Sequence, residues 1–221
     1  MKFLIHGGTP RLSDEEVPEI AKIMDEESIE NICFISFASQ YPILSSWFWE
    51  TDKPRWVEKR TSTALFDYGY VQQSAEQYIE EADCLFFTGG ATRKLYSSLH
   101  EYGLYDQIVA NINNRKYKLV AGSSAGMMIL GTKTIIGHTK ITEVIESLGA
   151  LPGVLFDSHF SQRNRLKRLS NVVATHQLQG YGIDEYTTAV FSTESELLAV
   201  HGKHSVTHVD IDGEVTRHDS K

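Results

Sequence analysis

The sequence predicts an α/β fold, with a mostly parallel sheet carrying helices on both faces and short antiparallel strands at the C-terminus. Three observations lead there. Short apolar runs alternate with stretches whose apolar residues recur at helical spacing, the pattern of parallel strands joined by crossover helices. Beyond Gly180 the texture changes to short alternating runs, with Asp212-Gly213 as a hairpin turn signal. The 221 residues, 41% of them hydrophobic, suit one domain over residues 1–221 with a substantial core.

The elements follow in order. "KFLIHGG" reads as a buried first strand ending at Gly7-Gly8. "SDEEVPEIAKIM" carries an N-cap candidate at Ser13 or Asp14, early acids and a helical apolar spacing. "NICFISFAS" is a second buried strand. Between Tyr41 and Lys59, Trp47, Phe48, Trp49 and Trp56 crowd together, the composition of a packed helix or core cover, or else of a pocket lining or dimer contact. "SAEQYIEEA" is helical and leads to "DCLFFTGG", a third buried strand ending in a glycine pair. "KLYSSLHEYGLYDQIVANINN" supplies one or two helices, "YKLVAGS" the fourth strand, and "AGMMIL" opens the next helix. The late runs "YTTAVFS", "LLAVHG", "SVTHVDI" and "EVTRH" read as antiparallel edge strands of the same domain.

Bulk properties exclude several function classes. The net charge of −8 argues against nucleic acid as the main partner, because phosphate binding needs a basic face. The two cysteines, Cys33 and Cys84, each lie inside an apolar run and read as buried core thiols. The start "MKFLIHGG" has too short an apolar run for a signal peptide, and no stretch approaches the roughly 20 apolar residues that span a bilayer. A cytoplasmic protein without membrane contact is expected.

Chemistry concentrates at "VAGSSAGMMIL", where Gly122-Ser123-Ser124-Ala125-Gly126 fits G-x-S-x-G. In that motif a serine sits on a sharp strand-to-helix turn with its hydroxyl exposed. An ordinary turn with serine as helix cap is the bland alternative. In open α/β sheets ligands bind beyond the carboxyl ends of the strands. Gly7-Gly8, Gly89-Gly90 and Ser124 all collect there. A serine hydroxyl needs a base, usually a histidine oriented by a carboxylate. Of nine histidines, His159 is the best candidate, since it ends the strand-like run of "LPGVLFDSHF" and is expected at the same sheet edge. The third member is Glu185 or Asp184, with Asp157 a local rival, two residues from His159 and on the same face if the strand continues. His201, His204, His208 and His218 lack a recognisable metal-ligand spacing.

The stretches "FFTGG", "VAGSSAGMMIL", "LGALPGVLFDSHFSQRNRLKRL" and "GYGIDEYTTAVF", in that order and spacing from about Phe86 to Phe191, resemble the dipeptidase E and cyanophycinase family of serine peptidases. "IHGG" and "FISFAS" fit more loosely. The resemblance implies a fold similar to the class I glutamine amidotransferases, with serine replacing their cysteine, and a Ser-His-Glu triad falling on Ser124, His159 and Glu185. The order Ser…His…Glu argues against an α/β-hydrolase, where the acid precedes the histidine. Arg163, Arg165 and Arg168 match arginines that bind substrate carboxylates in cyanophycinases. Residues five apart on a helix lie about 140° apart, so not all three can face one site on a continuous helix, and Arg163 and Arg165 are expected in a loop or first turn. Without the resemblance these arginines read as a solvated basic face.

There are departures. The family's Gly-Gly-Asn-Gln after the third strand is Gly89-Gly90-Ala91-Thr92 here, and Ser158 stands where cyanophycinases usually carry glutamine. Backbone N–H groups of Gly90 and Ala125 are the expected oxyanion donors. Asp157 and Thr92 join the arginines as candidate substrate contacts. The expected function is hydrolysis, without metal or organic cofactor, of small peptides with Asp or β-Asp at the cleaved bond, by a serine exopeptidase or dipeptidase. The alternatives are an esterase or amidase using the same triad, or a non-catalytic binding protein of the same fold. A homodimer is implied only by the resemblance.

Overall fold

The computed structural model describes residues 1–9, 12–39, 57, 60–66, 72–137 and 143–220. The aromatic cluster Trp47, Phe48, Trp49 and Trp56 lies outside them. The main sheet is built from β1 (Lys2–His6), β2 (Asn31–Ile35), β3 (Thr61–Leu65), β4 (Cys84–Phe87), β5 (Leu119–Ser123), β10 (Thr187–Phe191) and β11 (Leu197–Gly202). Its order is β11-β10-β1-β5-β4-β2-β3. Strands β1 to β5 run parallel, and β10 and β11 close one edge antiparallel.

Both faces are covered, which is why the parallel strands read as continuous apolar runs. Alternate residues go to opposite sides. Phe3, Ile5, Ile35, Leu85, Phe87 and Val120 belong to one core, with Ile79 of α2 (Gln72–Glu81), Leu95 of α3 (Thr92–Glu101) and Ile108 of α4 (Tyr105–Asn113). Leu4, Phe34, Phe86, Ala121 and Val190 belong to a second core, with Ile20, Ile23 and Met24 of α1 (Glu16–Glu26). Cys33 and Cys84 are buried free thiols, as expected from their apolar surroundings, and burial pushes the Cys33 thiol up to about 12.

The late strands are antiparallel, as expected, but not all of them edge the main sheet. They divide between two sheets. A four-stranded sheet has the order β13-β12-β9-β8, from β8 (Val154–Asp157), β9 (Gln179–Ile183), β12 (Ser205–Val209) and β13 (Val215–Asp219). β8 pairs parallel with β9, and α6 (Leu166–His176) connects them. The run carrying His159 therefore belongs to this second sheet, not to the main one. Its core residues Leu155, Phe156, Tyr181 and Val206 pack into the first core. A hairpin of β6 (Lys133–Ile136) and β7 (Glu143–Glu146) completes the described elements, together with the short α5 (Ala125–Met128). β3, β6 and β7 are polar or short enough to have escaped the apolar-run criterion.

Candidate active site

β5 ends at Ser123, and the chain turns sharply into α5 through Ser124, whose φ of 50° and ψ of −113° are strained for a non-glycine residue. Ser124 N–H donates to the His6 carbonyl at 3.0 Å, so the end of β1 holds the turn. The turn is tight because Gly126 lies against β4: a Cβ there would sit 2.0 Å from the Phe87 carbonyl oxygen.

His159 arrives from the other sheet. β8 stops at Asp157, and His159 has left the strand with a left-handed φ of 47°. Its N–H donates to the Gly7 carbonyl at 2.9 Å, joining this turn to the end of β1. Its Nε2 lies 2.9 Å from Ser124 Oγ, and its Nδ1 lies 2.7 Å from Glu185 Oε1. An ionised carboxylate only accepts, which puts a proton on Nδ1 and leaves Nε2 to accept from the serine hydroxyl. Glu185 follows β9, and its N–H donates to Gln162 Oε1 at 3.1 Å. Burial holds His159 below its ordinary 6.5 and the nearby Arg163 charge adds to this, while the contact with Glu185 pulls the other way.

Asp184 and Asp157 are spent elsewhere. Asp184 accepts from Ser161 N–H at 2.9 Å and from Ser205 Oγ at 3.1 Å. Asp157 is fully buried and accepts from Arg165 Nη1 at 2.7 Å and from Arg168 Nε at 2.8 Å. The alternation that would have put Asp157 beside His159 fails because the strand ends between them.

Ser124 opens onto a cavity of about 520 Å³. Gly90, Thr92, Ala125 and Ser158 line it, as do Arg163, Arg165 and Arg168. The three arginines meet because the segment is not one helix. Arg163 ends a 3-10 turn (Ser161–Arg163), Arg165 precedes α6, and only Arg168 lies within it. Arg165 also donates to the Ser158 carbonyl at 2.7 Å and Arg168 to the Gly137 carbonyl at 3.2 Å, so both are anchored. Arg163 is exposed and also borders an adjoining basic groove of about 430 Å³ with Lys167 and Asn171. Arg93 also lines the cavity and pairs with Glu143.

Residues 3–199 match the profile of peptidase family S51. The chain belongs to this family. It is 34% identical over 143 residues to a cyanophycinase of Geminocystis herdmanii (strain PCC 6308), covering 61% of this chain and 52% of the relative. It is 36% identical over 140 residues to a cyanophycinase of Trichormus variabilis (strain ATCC 29413 / PCC 7937), covering 60% and 46%. The S51 chain thus spans about half the length of the curated relatives it matches. A solved peptidase from an acI-B1 Actinobacterium superposes with a TM-score of 0.72 at 16% identity, over 99% of this chain and 94% of the other. A candidate peptidase E protein of Listeria monocytogenes EGD-e gives 0.62 at 16% identity, over 100% and 98%. These two likenesses concern the fold. No helix among the described residues is long and apolar enough to cross a membrane.

The sequence pattern assigned no role to Ser123, His6 or Glu16, all of which lie behind Ser124. Ser123 Oγ is 2.8 Å from His6 Nδ1, and His6 Nε2 is 3.3 Å from Glu16 Oε1. The one available signal was Ser13-x-x-Glu16, a capping-box spacing. Ser13 N–H donates to Glu16 Oε2 at 2.8 Å and Glu16 N–H to Ser13 Oγ at 3.3 Å. Ser13 rather than Asp14 closes this turn, one turn ahead of the regular helix.

Proposed function

We propose that the chain is a serine exopeptidase or dipeptidase that cleaves small peptides at an Asp or β-Asp residue. Ser124 is the nucleophile, His159 the general base and acid, and Glu185 the group that orients His159. His159 Nε2 takes the hydroxyl proton as Ser124 Oγ attacks the peptide carbonyl. Glu185 stabilises the imidazolium so formed. The developing oxyanion is held by N–H groups of Gly90 and Ala125, a contribution of about 3–4 kcal/mol in comparable sites. His159 then passes its proton to the leaving amine, and water repeats the sequence on the acyl-enzyme. The observation that carries this reading is the continuous Ser124–His159–Glu185 hydrogen-bonded series opening onto an arginine-lined cavity.

The arginines divide the work of recognition. Arg165 and Arg168 are held by Asp157 and give the cavity its shape and positive potential. Arg163 is left to take the substrate carboxylate through two parallel hydrogen bonds. Asp157 acts through the arginines instead of touching the substrate, and Thr92 contributes cavity wall in place of the family's glutamine.

The test is a hydrolysis screen of matched Asp-X, β-Asp-X and Asn-X dipeptides alongside simple esters. Preference for the acidic peptides, lost in Arg163→Met, is expected. Equal turnover of Asp-X and Asn-X would remove the substrate assignment. Ser124→Ala should fold normally and lose turnover by several orders of magnitude.

A further inference from the structure

A second Ser-His-Glu series lies directly behind the nucleophile turn. Ser123, His6 and Thr188 occupy one register row across β5, β1 and β10, and His201 of β11 continues it. These side chains alternate with Phe3 and Ile5, and so share the face of Leu4, Ala121 and Val190, which α1 covers. From α1, Glu16 reaches this row. Its Oε1 accepts from Thr188 Oγ1 at 2.7 Å and lies 3.3 Å from His6 Nε2, a close contact not aligned as a hydrogen bond. Glu16 is 0% exposed and His6 only 5%, so substrate reaches neither.

The buried middle of this face is filled by Leu4, Ile32, Phe34, Phe86, Ala121 and Val190. Burying a carboxylate and an imidazole is costly against such packing, yet this buried polar row stands at the last register before the turn. There His6 grips the turn twice. Its carbonyl accepts Ser124 N–H at 3.0 Å, and its ring meets Ser123 Oγ at 2.8 Å. The next residue, Gly7, holds His159 N–H at 2.9 Å. A shift of His6 therefore moves Ser124 against its base.

We propose that His6, clamped by Glu16 and bonded to Ser123, is a positioning residue that holds the strained Ser124 turn in register with His159. The proposal rests on Ser124 being the nucleophile. It is tested on the purified full chain with a fluorophosphonate probe, which reports the reactivity of the serine without needing the natural substrate. An asparagine at position 6 puts an amide near the place of Nδ1 and keeps the contact to Ser123. A glutamine puts it near Nε2, keeps the contact to Glu16 and loses Ser123.

His6→Gln is expected to slow labelling about 10- to 100-fold while circular dichroism stays that of the wild type, the scale of a sub-ångström to ångström misplacement. His6→Asn is expected to recover most of that loss. Ser123→Ala is expected to slow labelling about tenfold and decides the matter if His6→Gln fails to fold. Labelling of folded His6→Gln, or failing that Ser123→Ala, within twofold of wild type would overturn the proposal. Equal slowing in His6→Asn and His6→Gln would also overturn it, since a purely structural histidine does not distinguish the two amides. Ser124→Ala is run in parallel: labelling that survives there, or absent from the wild type, overturns the nucleophile assignment and this proposal with it.

Discussion

His159 is held between opposing influences, and the balance sets how the site responds to pH. Burial and the Arg163 charge favour the neutral ring, while Glu185 favours the charged one, and the net direction is downward from 6.5. A general base must be neutral to accept a proton, so activity falls as pH drops through its pKa. Because that pKa is depressed, the acid limb of the rate profile is expected below 6.5. Arg163→Gln removes a cation that disfavours imidazolium, so the limb should move to higher pH. Measuring fluorophosphonate labelling against pH separates this effect from lost substrate binding; an unmoved limb would show that Arg163 does not act on the base. Glu185→Gln removes the charge facing Nδ1 and is expected to lower turnover by about 10²–10⁴. Asp157→Asn leaves that contact untouched, so its effect on the proton relay should be far smaller.

At the scale of elements, the site depends on where strands stop. β1, β5 and β8 each end one or two residues before a residue that supports or forms the Ser124–His159 pair. Gly8 shows how close these ends approach. Its φ is +102°, and a Cβ there would lie 2.7 Å from His159 Nε2 and 2.8 Å from Ser124 Cβ. Gly8→Ala is expected to push the pair apart and cut activity by at least about 10². The backbone strain of about 1–3 kcal/mol should lower Tm by roughly 2–12 °C at about 2–4 °C per kcal/mol. Thermal melts and labelling rates on one sample would check both. Helix α1 contributes through Glu16, whose carboxyl burial would raise but which His6, Ser13 and Thr188 together hold below 4.5. A carboxyl with a lowered folded-state pKa stabilises the fold above its unfolded value and loses that contribution as pH falls through the folded value. Glu16→Gln is therefore expected to cost about 1–3 kcal/mol at neutral pH. In urea unfolding this difference should shrink as pH falls below 4.5.

For the whole molecule, the question is what fixes the second sheet against the first. Much of the answer is apolar, since Leu155, Phe156 and Tyr181 share a core with Phe3, Ile5 and Phe191. Within the second sheet's own β8–α6 unit, Asp157 adds a buried charged joint between β8, the turn before α6 and α6 itself. Removing its charge leaves two guanidinium groups largely buried without their partner, which typically costs about 3–5 kcal/mol. Asp157→Asn should consequently lower Tm by roughly 6–20 °C at about 2–4 °C per kcal/mol. It should also weaken discrimination between Asp-X and Asn-X dipeptides, since Arg165 and Arg168 lose their fixed places in the cavity wall. A melt unchanged from the wild type would show that the joint is not structural.

The sequence by itself determined the α/β class, the strand-to-helix turn at Ser124 and the candidates His159 and Glu185. These are local properties. Continuous apolar runs report burial on both faces, and G-x-S-x-G reports backbone a few residues long. Tertiary structure alone decided that the histidine comes from a separate sheet, because the apolar run "VLF" looks the same whichever sheet it joins. It also set which of the three nearby acids contacts His159 Nδ1. Asp157 and Glu185 are equally carboxylates in the sequence, and only the end of β8 and the left-handed turn at His159 hand one to the arginines and the other to Nδ1. The gathering of Arg163, Arg165 and Arg168 needed the break between a 3-10 turn and α6, which no helical wheel contains. Ser123, His6 and Glu16 were the least legible of all, because a register row across strands far apart in the chain leaves no spacing to read.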